Sequence, residues 1–153
     1  MKRYILDTCV DIKPDQANYP KYFFDDLKSS KFTVKIVIGG SKCLNEIATK
    51  RSLAELVNYL SDIGRVIKIE KERVDSSETE IRERILRKFG KIDAACDDLH
   101  IFALARESNC LYVISRDDRM AKCRDIIRNN IGHKHCPNIK IIASEETYKM
   151  SKV

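Results

Sequence analysis

Five short runs of apolar, mostly β-branched residues recur along the chain, each bounded by polar residues. Runs of four to eight residues with this composition predict β-strands. The predicted strands cover residues 3–6, 33–38, 65–69, 111–115 and 139–143. The fourth of these reads LYVIS and the last reads IKIIA, so neither has the length of a helix.

Apolar residues between these runs recur at helical spacing instead. Leu53, Leu56, Val57 and Leu60 fall on one helical face, which is the pattern of an amphipathic helix. The predicted helices cover residues 42–50, 53–63, 77–89, 92–108, 118–129 and 145–150. Because strands alternate with helices, we predict an α/β fold: a three-layer α/β/α domain around a mostly parallel five-stranded sheet.

Length and composition favour one globular domain spanning residues 1–153. The chain has 43% hydrophobic and 34% charged residues and a net charge of +6, which makes nucleic acid a candidate partner. No apolar run approaches the roughly 20 residues of a membrane span. Asp7 interrupts the apolar run at the N-terminus, so we expect no signal peptide and no membrane association, and a cytoplasmic location.

Six scattered cysteines, without any C-x-x-C pair, are expected to be reduced thiols in a cytoplasmic protein. One group, Cys123, His133, His135 and Cys136, raises the alternative of a zinc site. Its spacing is looser than that of common zinc motifs, and a polar loop before the last strand explains the same residues.

Acidic residues lie where the predicted sheet would bring them together. Asp7 directly follows the first strand and Asp117 closely follows the fourth, and ligands of parallel sheets bind beyond these carboxyl ends. Glu46 lies on the helix after the second strand, and Asp98 begins the helix that precedes the fourth. Each acid alone could be a helix cap or an exposed side chain. Together, four carboxylates at one edge need shifted pKa values or a hard cation such as Mg²⁺ or Mn²⁺.

In order and spacing, these segments resemble the motifs of PIN-domain ribonucleases, including the VapC-type toxins. The segments that carry the resemblance are YILDTCVDI, SKCLNEI, DDLHIFALARESNCLYVISRDDRM and IIASEETYKM, which begin at residues 4, 41, 97 and 141. The resemblance implies that Asp7, Glu46, Asp98 and Asp117 are catalytic and bind one or two Mg²⁺ or Mn²⁺ ions. Asp97 and Asp118 are the adjacent alternatives for the third and fourth acids.

Further residues take roles from the same resemblance. Thr8 would position the metal or Asp7 through its hydroxyl, and its alternative role is that of a turn residue. Arg116, Arg119 and Lys122 are candidate contacts to RNA phosphates, or else surface ion pairs. Cys9 departs from the Asn or Ser that is frequent in the family, and Arg119 stands where many members carry a further Asp. The basic stretch 82–91 is a candidate phosphate ridge, although a solvated helix face explains it as well.

The resemblance implies a metal-dependent endoribonuclease that hydrolyses RNA phosphodiester bonds, as the toxin of a type II toxin–antitoxin pair. Its expected partners are an RNA substrate, an antitoxin and a second copy of the chain. The alternatives are a housekeeping RNA-processing nuclease and a catalytically silent module that binds RNA or protein. A phosphoryl-accepting or phosphatase domain is disfavoured, because the acid that follows Asp7 is Asp11, which is too far for a D-x-D motif.

Overall fold

A five-stranded sheet forms the centre of the protein, in a computed structural model that describes residues 2–29, 31 and 33–153. The strands run parallel in the order β3-β2-β1-β4-β5. They are β1 (Lys2–Leu6), β2 (Val34–Gly39), β3 (Val66–Ile69), β4 (Tyr112–Ile114) and β5 (Lys140–Ile142). All five predicted strands are confirmed, with ends that differ by at most one residue.

Seven α-helices surround the sheet within the described residues. They are α1 (Lys21–Lys28), α2 (Ser41–Thr49), α3 (Arg51–Asp62), α4 (Lys71–Phe89), α5 (Leu99–Ser108), α6 (Arg119–Ile126) and α7 (Glu145–Ser151). The sequence pattern missed α1, whose eight residues bury Phe23, Phe24 and Leu27. None of the helices in the described residues combines the length and the apolar character that crossing a membrane requires.

The predicted helix over residues 92–108 is wrong as one continuous element. The structure has a 3₁₀ turn at Ala94–Cys96 and begins α5 only at Leu99. The side chain of Asp93 accepts a hydrogen bond from the backbone N–H of Ala95, which starts the turn. Asp98 then leaves the helical conformation (φ −112°, ψ 51°). The break sets Asp97 and Asp98 in a connection at the start of α5.

Alternate side chains of the sheet enter two separate cores. Tyr4 packs with helices α1, α3 and α7, whereas Ile5 packs with α4, α5 and α6. This is the alternation expected of a sheet that is covered on both faces. The three-layer α/β/α architecture is therefore confirmed.

Two cysteines that were expected to be reduced form a disulfide. Cys96 in the 3₁₀ turn and Cys123 in α6 are bonded, with their Cα atoms 5.1 Å apart, so the prediction of six reduced thiols is wrong for this pair. Packing of the turn against α6 brings them together. Cys123 is thus unavailable to zinc, and no three His, Cys, Asp or Glu side chains of the described residues gather as a metal site.

A Gly-Gly turn joins β2 to α2 at the carboxyl edge of the sheet. A Cβ atom on Gly39 would lie 2.7 Å from the carbonyl oxygen of Ile69, and one on Gly40 would lie 2.7 Å from Val74. Gly40 also has φ +88°, which favours glycine. Glycine therefore lets α2 begin close to β3 and α4, and this places Lys42 and Glu46 beside the strand ends.

Candidate active site

Asp7 lies at the end of β1 with only 4% of its surface exposed. Its backbone N–H donates to the carbonyl oxygen of Ile114 at 2.9 Å, which continues the pairing of β1 with β4. Its carboxylate accepts hydrogen bonds from the Ser115 hydroxyl at 2.7 Å and from the Cys9 thiol at 3.1 Å. No Lys, Arg or His of the described residues forms an ion pair with it. Asp7 is thus a buried carboxylate without a cationic partner in the part of the chain that the structure describes.

Ser115 connects the ends of two neighbouring strands. Its fully buried hydroxyl donates to Asp7 and accepts the backbone N–H of Asp117 at 3.0 Å. Sequence reasoning used this serine only as part of a motif and gave it no role. Its position two residues before an acid, at a strand end, was the available signal, because serine hydroxyls in such positions bond the backbone two residues on.

Asp117 and Asp97 share a guanidinium group. Arg119 lies 3.2 Å from a carboxylate oxygen of Asp117 through Nε and 3.3 Å from one of Asp97 through its terminal nitrogen. The carboxylate of Asp117 raises the pKa of Arg119 further above its usual value. Arg119, predicted as a phosphate contact, therefore lies among the acids, at the position where a further Asp was expected by resemblance.

Glu46 reaches the end of β1 through Thr8. The Thr8 hydroxyl donates to a carboxylate oxygen of Glu46 at 2.6 Å, so the second predicted acid lies beside the residue that follows Asp7. Glu46 lies on α2 and Thr8 lies in the loop after β1, so only the fold brings these two residues together. Thr8 thus positions Glu46 directly. Within the described residues, its hydroxyl makes no hydrogen bond to the Asp7 carboxylate.

Asp98 is paired with a lysine that the sequence did not indicate. Lys42 Nζ lies 3.4 Å from the Asp98 carboxylate and donates to the carbonyl oxygen of Asp97 at 3.2 Å. Lys42 and Glu46 are one helical turn apart, so α2 directs one charge of each sign at this edge. His100 lies 4.0 Å from Asp98, and burial, followed by the charge of Lys42, lowers the pKa of its imidazole.

The remaining predicted residues are spread over the rim. Arg116 is exposed, and its guanidinium makes no ion pair or hydrogen bond with the described residues. Lys122 lies 3.7 Å from Asp93. Asp118 is exposed at the start of α6 and its side chain does not cap the helix. Arg116 is thus the least engaged of the three cations predicted to contact RNA.

Hydrogen bonds and ion pairs therefore connect the four predicted acids to one edge in two groups. One runs from Asp7 through Ser115 and Asp117 to Arg119 and Asp97. The other joins Lys42 with Asp98 and meets the first at Asp97, whose carbonyl oxygen also accepts from Lys42; Glu46 lies on the same helix as Lys42. Carboxylate and hydroxyl oxygens are the donors that Mg²⁺ and Mn²⁺ prefer. The chemistry of the set fits such an ion. The acids are spaced more widely than the ligands of a metal site, since no three acidic, His or Cys side chains of the described residues converge.

Comparisons with known proteins add one distant structural likeness. The chain matches no protein-family model, and no curated protein matches its sequence. Among solved structures, it is similar to a chain of the crystal structure of VapBC2 from Rickettsia felis bound to a DNA fragment from their promoter. The identity is 20% and the TM-score 0.47, over 92% of this chain and 97% of that one. These values are too low to assign the chain to a family.

Proposed function

We propose that this protein is a divalent-metal-dependent endoribonuclease of the PIN type. The observation that carries the proposal is the buried Asp7 carboxylate, which is hydrogen-bonded by Ser115 and has no cationic partner in the described residues. A buried charge without a counter-charge is costly. A bound cation would supply that counter-charge, and the neighbouring acids would complete its ligands.

The ligands of that cation would be Asp7, Glu46, Asp98 and Asp117, with Mg²⁺ or Mn²⁺ as the ion and Thr8 holding Glu46. When bound, such an ion lowers the pKa of water and offsets charge on a phosphate group. Lys42 and Arg119 already neutralise Asp98 and Asp117, so an ion competes with these two cations for the same oxygens.

The surroundings of the acids suit an anionic polymer. The chain carries a net charge of +6, and Arg116, whose guanidinium has no ion pair within the described residues, directly precedes Asp117. Positive side chains at the rim attract the phosphate backbone, and this attraction weakens as the salt concentration rises. Ser115 would keep the Asp7 carboxylate in one orientation while the substrate binds.

One observation favours a second function, that of a catalytically silent RNA- or protein-binding module. Two of the four acids are already neutralised by Lys42 and Arg119, and no metal site is formed by the described residues. The double variant Lys42→Gln/Arg119→Gln separates the two proposals. A nuclease binds Mn²⁺ both with and without these cations, whereas a silent module binds it in the double variant alone.

The narrower assignments rest on the sequence resemblance. They are the role of a toxin, an antitoxin partner and a homodimer. A toxin would arrest growth when its expression is induced in a bacterial host, and Asp7→Asn would relieve the arrest. A housekeeping nuclease would not arrest growth at the same expression level. Light scattering on the purified protein measures the oligomeric state.

The proposed activity is tested by cleavage of labelled RNA with Mn²⁺ or Mg²⁺, repeated with a chelator. Asp7→Asn removes the buried charge, and we expect it to reduce cleavage to background. Asp62→Asn is the matched control, because Asp62 is exposed at the end of α3, which leads into the start of β3 and not to the carboxyl ends of the strands. It should cut like the wild type. Equal cleavage by wild type and Asp7→Asn would refute the assigned site.

A further inference from the structure

A small pocket adjoins the acidic edge, between the loop that follows β1 and the ends of β4 and β5. Val10, Ile114 and Ile142 form its apolar floor, and its volume is about 60 Å³. A cavity of about 150 Å³ is enough to enclose benzene, so this smaller and open pocket takes one edge of a ring rather than the whole of it. The edge of a single-ring base fits such a pocket better than the fused rings of a purine.

Two tyrosine rings form the walls of the pocket, and the core holds both in place. Tyr19 stacks on Phe24 with ring centroids 5.0 Å apart and planes 5° from parallel. Tyr22 packs against Tyr148 at 5.4 Å. Rings that are already fixed lose little conformational entropy when a ligand stacks on them. Unpaired nucleic-acid bases commonly bind on such aromatic surfaces.

Polar groups without partners surround the opening. Within the described residues, the hydroxyls of Tyr19 and Tyr22, the side-chain amide of Asn18 and the guanidinium of Arg116 make no hydrogen bond. The loop is nevertheless fixed, because the backbone N–H of Asn18 donates to the Asp11 carboxylate at 2.9 Å. An amide, hydroxyls and a guanidinium offer the donors and acceptors that read the hydrogen-bonding edge of a base.

The pocket and the candidate active site share a wall. Ser115 lines the pocket, and its hydroxyl contacts both Asp7 and the backbone of Asp117. Arg116, also in the wall, is the residue before Asp117, so their Cα atoms are about 3.8 Å apart. A base in the pocket would therefore belong to a nucleotide beside the phosphate that lies against the acids.

We infer that this pocket binds a single unpaired pyrimidine base of the RNA and sets the sequence at which the strand is cut. The inference rests on the proposed function, since it names a determinant of substrate choice for the same site. The base stacks against the rings of Tyr19 and Tyr22. Asn18 and Arg116 read its polar edge.

Nucleoside binding tests the pocket without catalysis. Isotope-labelled protein in chelator is titrated with cytidine, uridine, adenosine and guanosine, and NMR shifts are followed at the Asn18 amide and the Arg116 Nε–H. We expect both signals to move with the pyrimidine nucleosides at lower concentration than with the purines. Asn18→Ala should weaken pyrimidine binding by up to about tenfold, the cost of one good hydrogen bond of about 1.4 kcal/mol.

Two further variants separate binding from folding. Tyr22→Phe keeps the packed ring and loses only the hydroxyl, so it should weaken binding without unfolding. Asn58→Ala is the matched control, because Asn58 is exposed on α3, and it should bind like the wild type. Absent shifts at Asn18 and Arg116, or tighter binding of purines, would overturn the inference.

Sequencing of the cleavage products of a random RNA pool distinguishes the two proposals. The inference predicts a pyrimidine preference at one position next to the cut, which Asn18→Ala weakens and Asn58→Ala retains. Cleavage with no base preference would refute the pocket and leave the nuclease standing. Nucleoside binding without any cleavage would refute the nuclease and leave the pocket standing.

Discussion

Individual polar contacts at the strand ends decide what the acidic edge can do. Ser115 is the clearest case, because one buried hydroxyl fixes the orientation of Asp7 and the backbone of Asp117. The positions of Asp7 and Asp117 could be predicted, since parallel strands end at a common edge. The roles of Ser115, Lys42 and Arg119 could not, because they depend on side-chain pairs between segments that are distant in sequence.

Replacing Ser115 by alanine tests this residue-scale connection. Ser115→Ala leaves the buried Asp7 carboxylate and the half-buried N–H of Asp117 short of a partner, so we expect a loss of about 1–2 kcal/mol in the free energy of unfolding. We also expect Mn²⁺ affinity to fall roughly 10- to 100-fold, as for other residues that orient metal ligands. Denaturant titration and Mn²⁺ binding measure the two effects. Ser61→Ala, exposed on α3, is the control, and identical behaviour of both variants would contradict the assigned role.

Elements with a regular pattern were predictable, and those without one were not. The strands were found because their β-branched runs are distinct. Helix α1 was missed because it has only eight residues and follows Pro20. The separate turn at Ala94–Cys96 was missed because apolar spacing does not reveal the capping contact of Asp93. The tyrosine pocket was missed for a related reason, since the loop after β1 has no periodic pattern.

The link between the 3₁₀ turn and α6 can be tested through the disulfide. Cys96 and Cys123 are 27 residues apart, and closing a loop of that length stabilises a fold by about 3–4 kcal/mol in the chain-entropy model. The double variant Cys96→Ala/Cys123→Ala should lose about this much free energy of unfolding. A reductant should lower the free energy of unfolding of the wild type to about that of the double variant, and it should leave the double variant unchanged.

Thiol counting checks the same link independently. The unfolded wild type, kept without reductant, should expose the four free thiols of Cys9, Cys43, Cys110 and Cys136. Six reactive thiols would contradict the disulfide and restore the expectation from the cysteine spacing.

The turn at His133–His135 predicts a dependence of stability on pH. His135 is buried, and burial followed by the charges of Arg84 and Arg106 lowers its pKa, while Glu80 opposes them. The unfolded chain therefore takes up this proton first as the pH falls below about 6.5. Stability is full above that pH and declines below it.

Matched histidine variants measure this contribution. Between pH of about 7.5 and 5.5, His135→Gln should lose less of its free energy of unfolding than the wild type does. His133→Gln should follow the wild type, because His133 is exposed. If the free energy of unfolding of His135→Gln changed with pH as much as that of the wild type does, the assignment to His135 would be contradicted. Denaturant titration at each pH supplies the values.

At the scale of the whole molecule, the candidate acids lie at one edge of a protein whose charges of both signs are otherwise mixed. The acids lie at the carboxyl edge of the sheet, whereas parts of the basic stretch 82–91 are paired within α4. Arg82 pairs with Glu78 and Arg84 with Glu80, as on a solvated helix face. The net charge of +6 thus indicated a polyanionic partner, but only the fold shows that Asp7 is buried with no cationic partner among the residues that the structure describes.

Binding of Mn²⁺ tests the central claim most directly, since cleavage, substrate choice and the roles of the acids all depend on it. The measurement is an electron paramagnetic resonance titration of wild type, Asp7→Asn and Asp62→Asn with Mn²⁺. We predict saturable binding by the wild type and by Asp62→Asn, and its loss in Asp7→Asn. No saturable binding by the wild type, or equal binding by Asp7→Asn, would contradict the account.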